Sequence, residues 1–128
     1  MRMAERPLDP LGLPEGYPLQ GAWEVTPREV QALLKSEGTC VLLDVREPRE
    51  VELASIDGAV QIPMGEIKSR LAELDEFAEE KVVVMCHHGA RSMQVTAFLR
   101  QNGFEDVHSM AGGIDLWSRD IDPELQRY

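Results

Sequence analysis

Cysteine is scarce in this chain, and so is positive charge. The 128 residues hold two cysteines, Cys40 and Cys86, in dissimilar surroundings. They form neither a CxxC pair nor a disulfide framework. In a reducing compartment a free cysteine is either a buried apolar filler or a reactive group. Lys and Arg number 13 against 23 Asp and Glu, a net charge of −10. Such a surface repels polyanions, so no nucleic acid and no membrane is expected as a partner. Long hydrophobic runs are missing too. Nothing approaches the about 20 apolar residues of a membrane-spanning helix, and Met1–Gln20 lacks the apolar segment of a signal peptide. The expected location is the cytoplasm. Internal repeats and low-complexity tracts are also missing. What remains is an ordinary globular composition, 43% apolar. The length suits one domain that can bury roughly two thirds of its unfolded surface without disulfides or metal.

Proline and glycine punctuate residues 1–20: Pro7, Pro10, Gly12, Pro14, Gly16 and Pro18. This spacing opposes helix and sheet alike and predicts an extended arm, with Leu11, Leu13 and Tyr17 available to pack on a domain spanning 21–128. Trp23-Glu24-Val25 reads as a short strand. Thr26-Pro27-Arg28-Glu29 opens a helix with a capping box, Val30, Leu33 and Leu34 as its stripe and Gly38 as its stop. Val41-Leu42-Leu43 reads as a strand covered on both faces. A short helix near Pro48, a strand at Ala59–Ile62 and a helix from Pro63 carrying Ile67, Leu71, Leu74 and Phe77 follow. Val82–Met85 is the clearest buried strand. Ser92 is expected to cap the next helix, with Val95, Phe98, Leu99 and Asn102 on its stripe and Gly103 ending it. Val107–Met110 and a short helix with Leu116 and Trp117 complete the order. Strands alternating with helices predict an α/β domain with a largely parallel sheet and helices on both faces.

Between the best strand and the best helix lies Cys86-His87-His88-Gly89-Ala90-Arg91-Ser92. Ligands of open α/β sheets bind at the carboxyl ends of strands, where Cys86 falls. A short loop closing onto a helix turns backbone N–H groups toward one point, and the helix adds the positive end of its dipole. Arg91 adds a charge, and His87 and His88 are candidates to add more. These surroundings favour a thiolate, the reactive form of cysteine. Gly89 supplies the backbone freedom a tight loop needs, and Ala90 is small enough to leave the mouth open. Cys40 opens an apolar strand with no basic neighbour and reads as buried filler. His108 reads as a structural or exposed strand residue. A metal held by Cys86, His87 and His88 is not expected, because adjacent residues rarely converge on one ion.

The segment CHHGARS resembles the active loop of single-domain rhodaneses, CxxGxRS. Two further stretches agree in order: Asp44-Val45-Arg46-Glu47-Pro48 with Glu50, Ile56, Gly58-Ala59 and Ile62-Pro63, then Met110–Trp117 with Gly112-Gly113. Ala54-Ser55 stands where the family has Gly-His, and Gln61 where it has asparagine, departures that bear on the rim. The resemblance implies a five-stranded, mainly parallel sheet. It implies a sulfurtransferase that needs no cofactor. Cys86 would take a sulfane sulfur from a small sulfur-containing anion such as thiosulfate and hold it as a persulfide. Cyanide, a thiol or a protein cysteine would then remove it. It implies that His87 and His88 face the donor, that Arg91 binds an anionic donor or holds the loop, and that residues 87–92 supply N–H groups. Asp44 and Arg46 would support the loop through a charge-assisted pair; their plain reading is a partly exposed ion pair.

Two rivals share the fold. A phosphatase or arsenate reductase needs five residues between cysteine and arginine to hold a tetrahedral oxyanion, whereas four separate Cys86 from Arg91. A non-enzymatic protein-interaction module typically lacks the cysteine, which is present; a sulfur-relay role lies between.

Overall fold

A computed structural model describes residues 5–36 and 40–128. The apolar runs become strands β1 (Glu24–Val25), β2 (Val41–Asp44), β3 (Val60–Gln61), β4 (Lys81–Met85) and β5 (Asp106–Met110). Between and after them lie helices α1 (Pro27–Lys35), α2 (Pro48–Leu53), α3 (Ala90–Gln101) and α4 (Gly113–Asp120). The five strands form one sheet in the order β1-β5-β4-β2-β3, and every pairing is parallel. The sheet therefore has β4 at its centre, with Val41 of β2 opposite Val82 and Asp44 opposite Met85.

Side chains of a strand alternate between faces, and β4 feeds two cores. Val82 and Val84 pack with Leu43, Val95 and Leu99 beside Ile67 and Leu74. Val83 and Met85 pack with Leu42, Val30, Ile114 and Trp117 on the other side. Each fully buried valine contributes roughly 1.5–3 kcal/mol, against about 0–1 kcal/mol for a surface ion pair. Apolar burial thus anchors the strand that ends at Cys86.

The capping box at α1 forms as expected. Thr26 accepts from the Glu29 N–H, and the Glu29 side chain takes the Thr26 N–H. Gly38, the expected stop, lies outside the described residues. Leu34 is exposed rather than part of the stripe. The helix expected from Pro63 is instead two stretches of 3₁₀ turn, Met64–Glu66 and Leu71–Phe77. Like charges four apart, Asp75 with Glu79 and Glu76 with Glu80, work against a continuous α-helix there. Ile67 and Leu74 are buried all the same.

The arm packs through Leu13, buried against Ala111 and Leu116, with Leu8, Tyr17 and Leu19 around it. Leu11 stays 56% exposed. Arg28 grips Asp120 through two hydrogen bonds of 2.8 and 3.0 Å and reaches the Pro10 carbonyl, tying arm, α1 and α4 together.

Candidate functional site

Cys86 follows β4 directly, and the chain turns at once into α3. Gly89 makes this turn possible with φ of 120°, a region costly for residues with a side chain. It also takes the N-cap position expected of Ser92, which lies inside the first turn of α3. Ser92 looks inward instead. The reason is its buried partners: its hydroxyl lies 2.7 Å from the Ser109 hydroxyl of β5 and donates to the Gly89 carbonyl at 3.2 Å.

The Cys86 sulfur is the focus of this turn. The Gly89 N–H donates to Sγ at 3.1 Å and the Ser92 N–H at 3.3 Å. The thiol in turn donates to Ser92 Oγ at 3.4 Å. Once the thiol loses its proton, the hydroxyl can turn its hydrogen to the sulfur. Three donors and the α3 N-terminus would then face an anion, the arrangement that stabilises negative charge in a nest. Cys86 is only 1% exposed, so access to it is narrow.

The loop is held from below by α4. The N–H groups of Ile114 and Asp115 donate to the carbonyls of Cys86 and His87 at 2.9 and 3.1 Å. With those carbonyls taken, the loop's N–H groups remain free to turn to Sγ. The approach is so close that a β-carbon on Gly113 would overlap both carbonyls. Gly112 and Gly113 both have positive φ.

Arg91 does not point at the sulfur. Its guanidinium clasps Glu50 of α2 through bonds of 2.7 and 2.8 Å. Glu50 offsets much of its charge, which still acts on Cys86 through space, and of the two roles implied for it, holding the loop is the one its hydrogen bonds serve. Glu50 also accepts from the Glu47 N–H and the Tyr128 hydroxyl, and the Arg91 bonds above all hold its carboxyl down to about 2.

Asp44 and Arg46 form the expected pair, but it is fully buried rather than partly exposed. Nε and Nη2 of Arg46 meet Asp44 at 3.0 and 2.7 Å, both side chains having no exposed surface. The remaining guanidinium hydrogens go to the Glu50 and Ala54 carbonyls and the Tyr128 hydroxyl. A buried charge pair is tolerable only when so fully hydrogen-bonded. It pins the end of β2 to α2, and thereby sets the helix that carries Glu50.

His87 and His88 form an aromatic edge. Their rings lie 3.8 Å apart, and Tyr128 stacks on His87 at 3.9 Å and 9°. His88 is 65% exposed, with Nδ1 3.9 Å from Asp115. Burial above all, and then His88, lower the pKa of His87. That direction works against a positive charge on His87, which the sequence offered only as a candidate. Ala90 is exposed at the start of α3 and leaves its surroundings open.

Cys40 lies half-buried just before β2, at the opposite end of the sheet. His108 is half-buried on β5, with Nδ1 3.3 Å from Asp106. Among the described residues no cluster of His, Cys, Asp and Glu is arranged to hold a metal. Nor is any helix there long and apolar enough to cross a membrane. Four contributors escaped the sequence reading of the site: Glu50, Ser109, the Gly112-Gly113 turn and Tyr128. Glu50 and the glycines stood inside the quoted motifs, which was a signal. Ser109 and Tyr128 had none.

Residues 26–120 match the model of the rhodanese-like domain. The chain is 36% identical over 106 residues to the probable adenylyltransferase/sulfurtransferase MoeZ of Mycobacterium tuberculosis, covering 81% of this chain and 26% of that protein. It is 34% identical over 96 residues to a sulfurtransferase of Allochromatium vinosum, covering 75% of this chain and 88% of that one. Among solved structures, the human single-domain sulfurtransferase TSTD1 superposes with a TM-score of 0.67 at 29% identity, covering 77% of this chain and 97% of that one. The chain spans about a quarter of the length of the first curated relatives it matches.

Proposed function

The chain belongs to the rhodanese-like domain family, and from that premise we propose that it transfers sulfane sulfur through a persulfide on Cys86. Its relatives include sulfurtransferases. The observation that carries the reading is the convergence of the Gly89 and Ser92 N–H groups on a cysteine sulfur at the carboxyl end of the central strand. This is where a parallel sheet presents its ligands.

In the first step the Cys86 thiolate attacks the outer sulfur of thiosulfate. A Cys86 S–S bond forms, the S–S bond of thiosulfate breaks, and its electron pair leaves on sulfite. The product is a persulfide anion. In the second step an acceptor nucleophile attacks the outer sulfur and the electron pair returns to Cys86. Cyanide yields thiocyanate in this step; a thiol yields a new persulfide. No net oxidation occurs, and neither step calls on a cofactor. This is two-step covalent catalysis with ping-pong kinetics.

The chain's residues take distinct parts. Gly89 and Ser92 hold the negative charge that Sγ bears before attack and after release. Ile114 and Asp115 keep the loop carbonyls turned away. Arg91 with Glu50, and Asp44 with Arg46, fix the wall of the loop. The natural donor is a small sulfur-containing anion, the acceptor a thiol or protein cysteine, and the setting the cytoplasm.

Intact-protein mass spectrometry after incubation with thiosulfate tests this reading. A gain of one sulfur atom, removed by cyanide and absent in Cys86→Ser, is the expected result. No adduct with any sulfane donor, while Cys86 still alkylates, would rule it out and turn attention to arsenate and phosphate esters.

A further inference from the structure

Tyr128 lies outside the stretch matched by the family, eight residues beyond its end at residue 120. The tail after α4 nevertheless returns to the active loop. Leu125 packs into the core beside Trp117 and Ile121, and this delivers Tyr128 to the loop. The ring then lies flat on His87 at 3.9 Å and 9°, while the His88 ring, tilted by 33°, lies 3.8 Å from His87. The Tyr128 hydroxyl is fixed at both ends: it accepts from Arg46 Nη1 and donates to Glu50 Oε1, each at 3.0 Å. Glu50 is also the residue that clasps Arg91. One side chain thus joins the buried ion pair, the Arg91 clasp and the residue next to the nucleophile.

Besides the stack, His87 has one hydrogen bond, to the Tyr128 backbone. Its Nε2 is buried with no hydrogen-bond partner among the described residues. With Nε2 unanchored, the tilt of the ring is set by its stacking neighbours together with that one bond. Because Cys86 is 1% exposed, a small displacement of His87 changes what can reach Sγ.

We propose that Tyr128 is the specificity-determining residue of this site, holding His87 as a rigid wall that admits small donors such as thiosulfate to Cys86 and turns bulky ones away. Tyr128 acts here as a positioning residue, through His87, and has no part in bond making. The proposal rests on the sulfur-transfer reading for its substrate, but its physical core, access to Cys86, is measured separately.

The test uses the full chain in a Cys40→Ala background, so that Cys86 is the only thiol. Rates of Cys86 alkylation are compared for iodoacetamide and a pyrene maleimide, and steady-state rates for thiosulfate and glutathione persulfide. Tyr128→Ala is expected to raise the bulky-to-small ratio about tenfold in both assays, the scale of one lost aromatic stack. Tyr128→Phe keeps the ring, so its bulky-to-small ratios are expected within about twofold of the parent, with a loss of stability because Arg46 Nη1 loses an acceptor. The kcat for thiosulfate should fall in Tyr128→Ala as His87 loosens, with KM little changed. If Tyr128→Ala does not fold, Tyr128→Leu replaces it, filling volume without a flat face; the same rise is expected. A folded Ala or Leu variant with the parent's ratios overturns the proposal. So does a Phe variant that behaves like Ala, since the hydroxyl rather than the stack would then be responsible. Should no donor load Cys86 while the alkylation ratio shifts, sulfur transfer fails and the wall stands. Should Cys86 load while the ratio holds, the wall fails and sulfur transfer stands.

Discussion

Cys40 and Cys86 flank neighbouring strands of one sheet, β2 and β4, but at opposite ends. Cys40 precedes β2, where a parallel sheet offers no helix N-terminus to a side chain. Burial above all pushes its thiol up, with Lys81 pulling only in part the other way. Cys86 follows β4, where the turn into α3 aims two N–H groups at its sulfur. Cys40 is half-buried with one backbone hydrogen bond, at Val83, whereas Cys86 is buried with two N–H donors aimed at its sulfur. Burial alone disfavours the charged form of a thiol, and oriented N–H dipoles favour it.

The strongest way to sharpen this contrast is to remove each sulfur in turn. Cys86→Ser should lower thiosulfate turnover by about a thousandfold or more, whereas Cys40→Ser should leave it within about twofold. A large loss from Cys40→Ser would break the comparison.

A substitution that leaves both cysteines in place should blur it next. Gly113→Ala would force a β-carbon into the Cys86 and His87 carbonyls at a φ of 59°. Left-handed backbone and overpacking together cost about 2–5 kcal/mol. The Cys86 N–H donors should swing away and its alkylation slow toward that of Cys40. Denaturant unfolding and alkylation rates measured together check both parts.

A smaller effect comes from the clasp. Glu50→Gln should cost about 1–3 kcal/mol at pH 7 by leaving Arg91 without its carboxylate. The pH dependence follows from Glu50, whose folded value of about 2 lies below its ordinary carboxyl range. A depressed carboxyl stabilises the fold in full above about pH 4.5 and loses that contribution as pH falls toward 2. The stability gap between the parent and Glu50→Gln should therefore narrow across that window. A gap that stays constant between pH 5 and pH 2 would contradict the clasp.

The smallest effect concerns Cys40 itself. In Cys86→Ser its alkylation should become appreciable only above the ordinary thiol value of about 8.5, because burial raises it. Rapid reaction at pH 7 would erase the distinction between the two positions.

The sequence made much of this visible. The continuous apolar run Val82–Met85, the capping box at Thr26 and the turn glycine Gly89 announce themselves within a few residues of chain, and the Asp44–Arg46 pair through the family resemblance. What stayed hidden depends on distance along the chain. Glu50 meets Arg91 across 41 positions and Tyr128 across 78, and local pattern carries no trace of such meetings. Ser92 misled for a related reason. A serine at the start of a helix usually caps it, but Ser109 on β5 offers a buried partner that only the assembled sheet supplies. The 3₁₀ turns between residues 64 and 77 show the same limit, since apolar spacing marks the buried side without fixing the helix type.

The pairing of β1 with β5 joins the first strand made to the last, Glu24 opposite Ser109 and Val25 opposite Met110. During synthesis β1 has no neighbour in the sheet until β5 has left the ribosome. Ser109 brings the buried hydroxyl that meets Ser92, and the α4 amides that restrain the loop follow it in the chain. A nascent chain therefore carries Cys86 and its two N–H donors before the elements that brace them have been made. Pairings this remote in sequence are slow to form, so the bracing of the Cys86 loop waits on the most distant contact of the sheet.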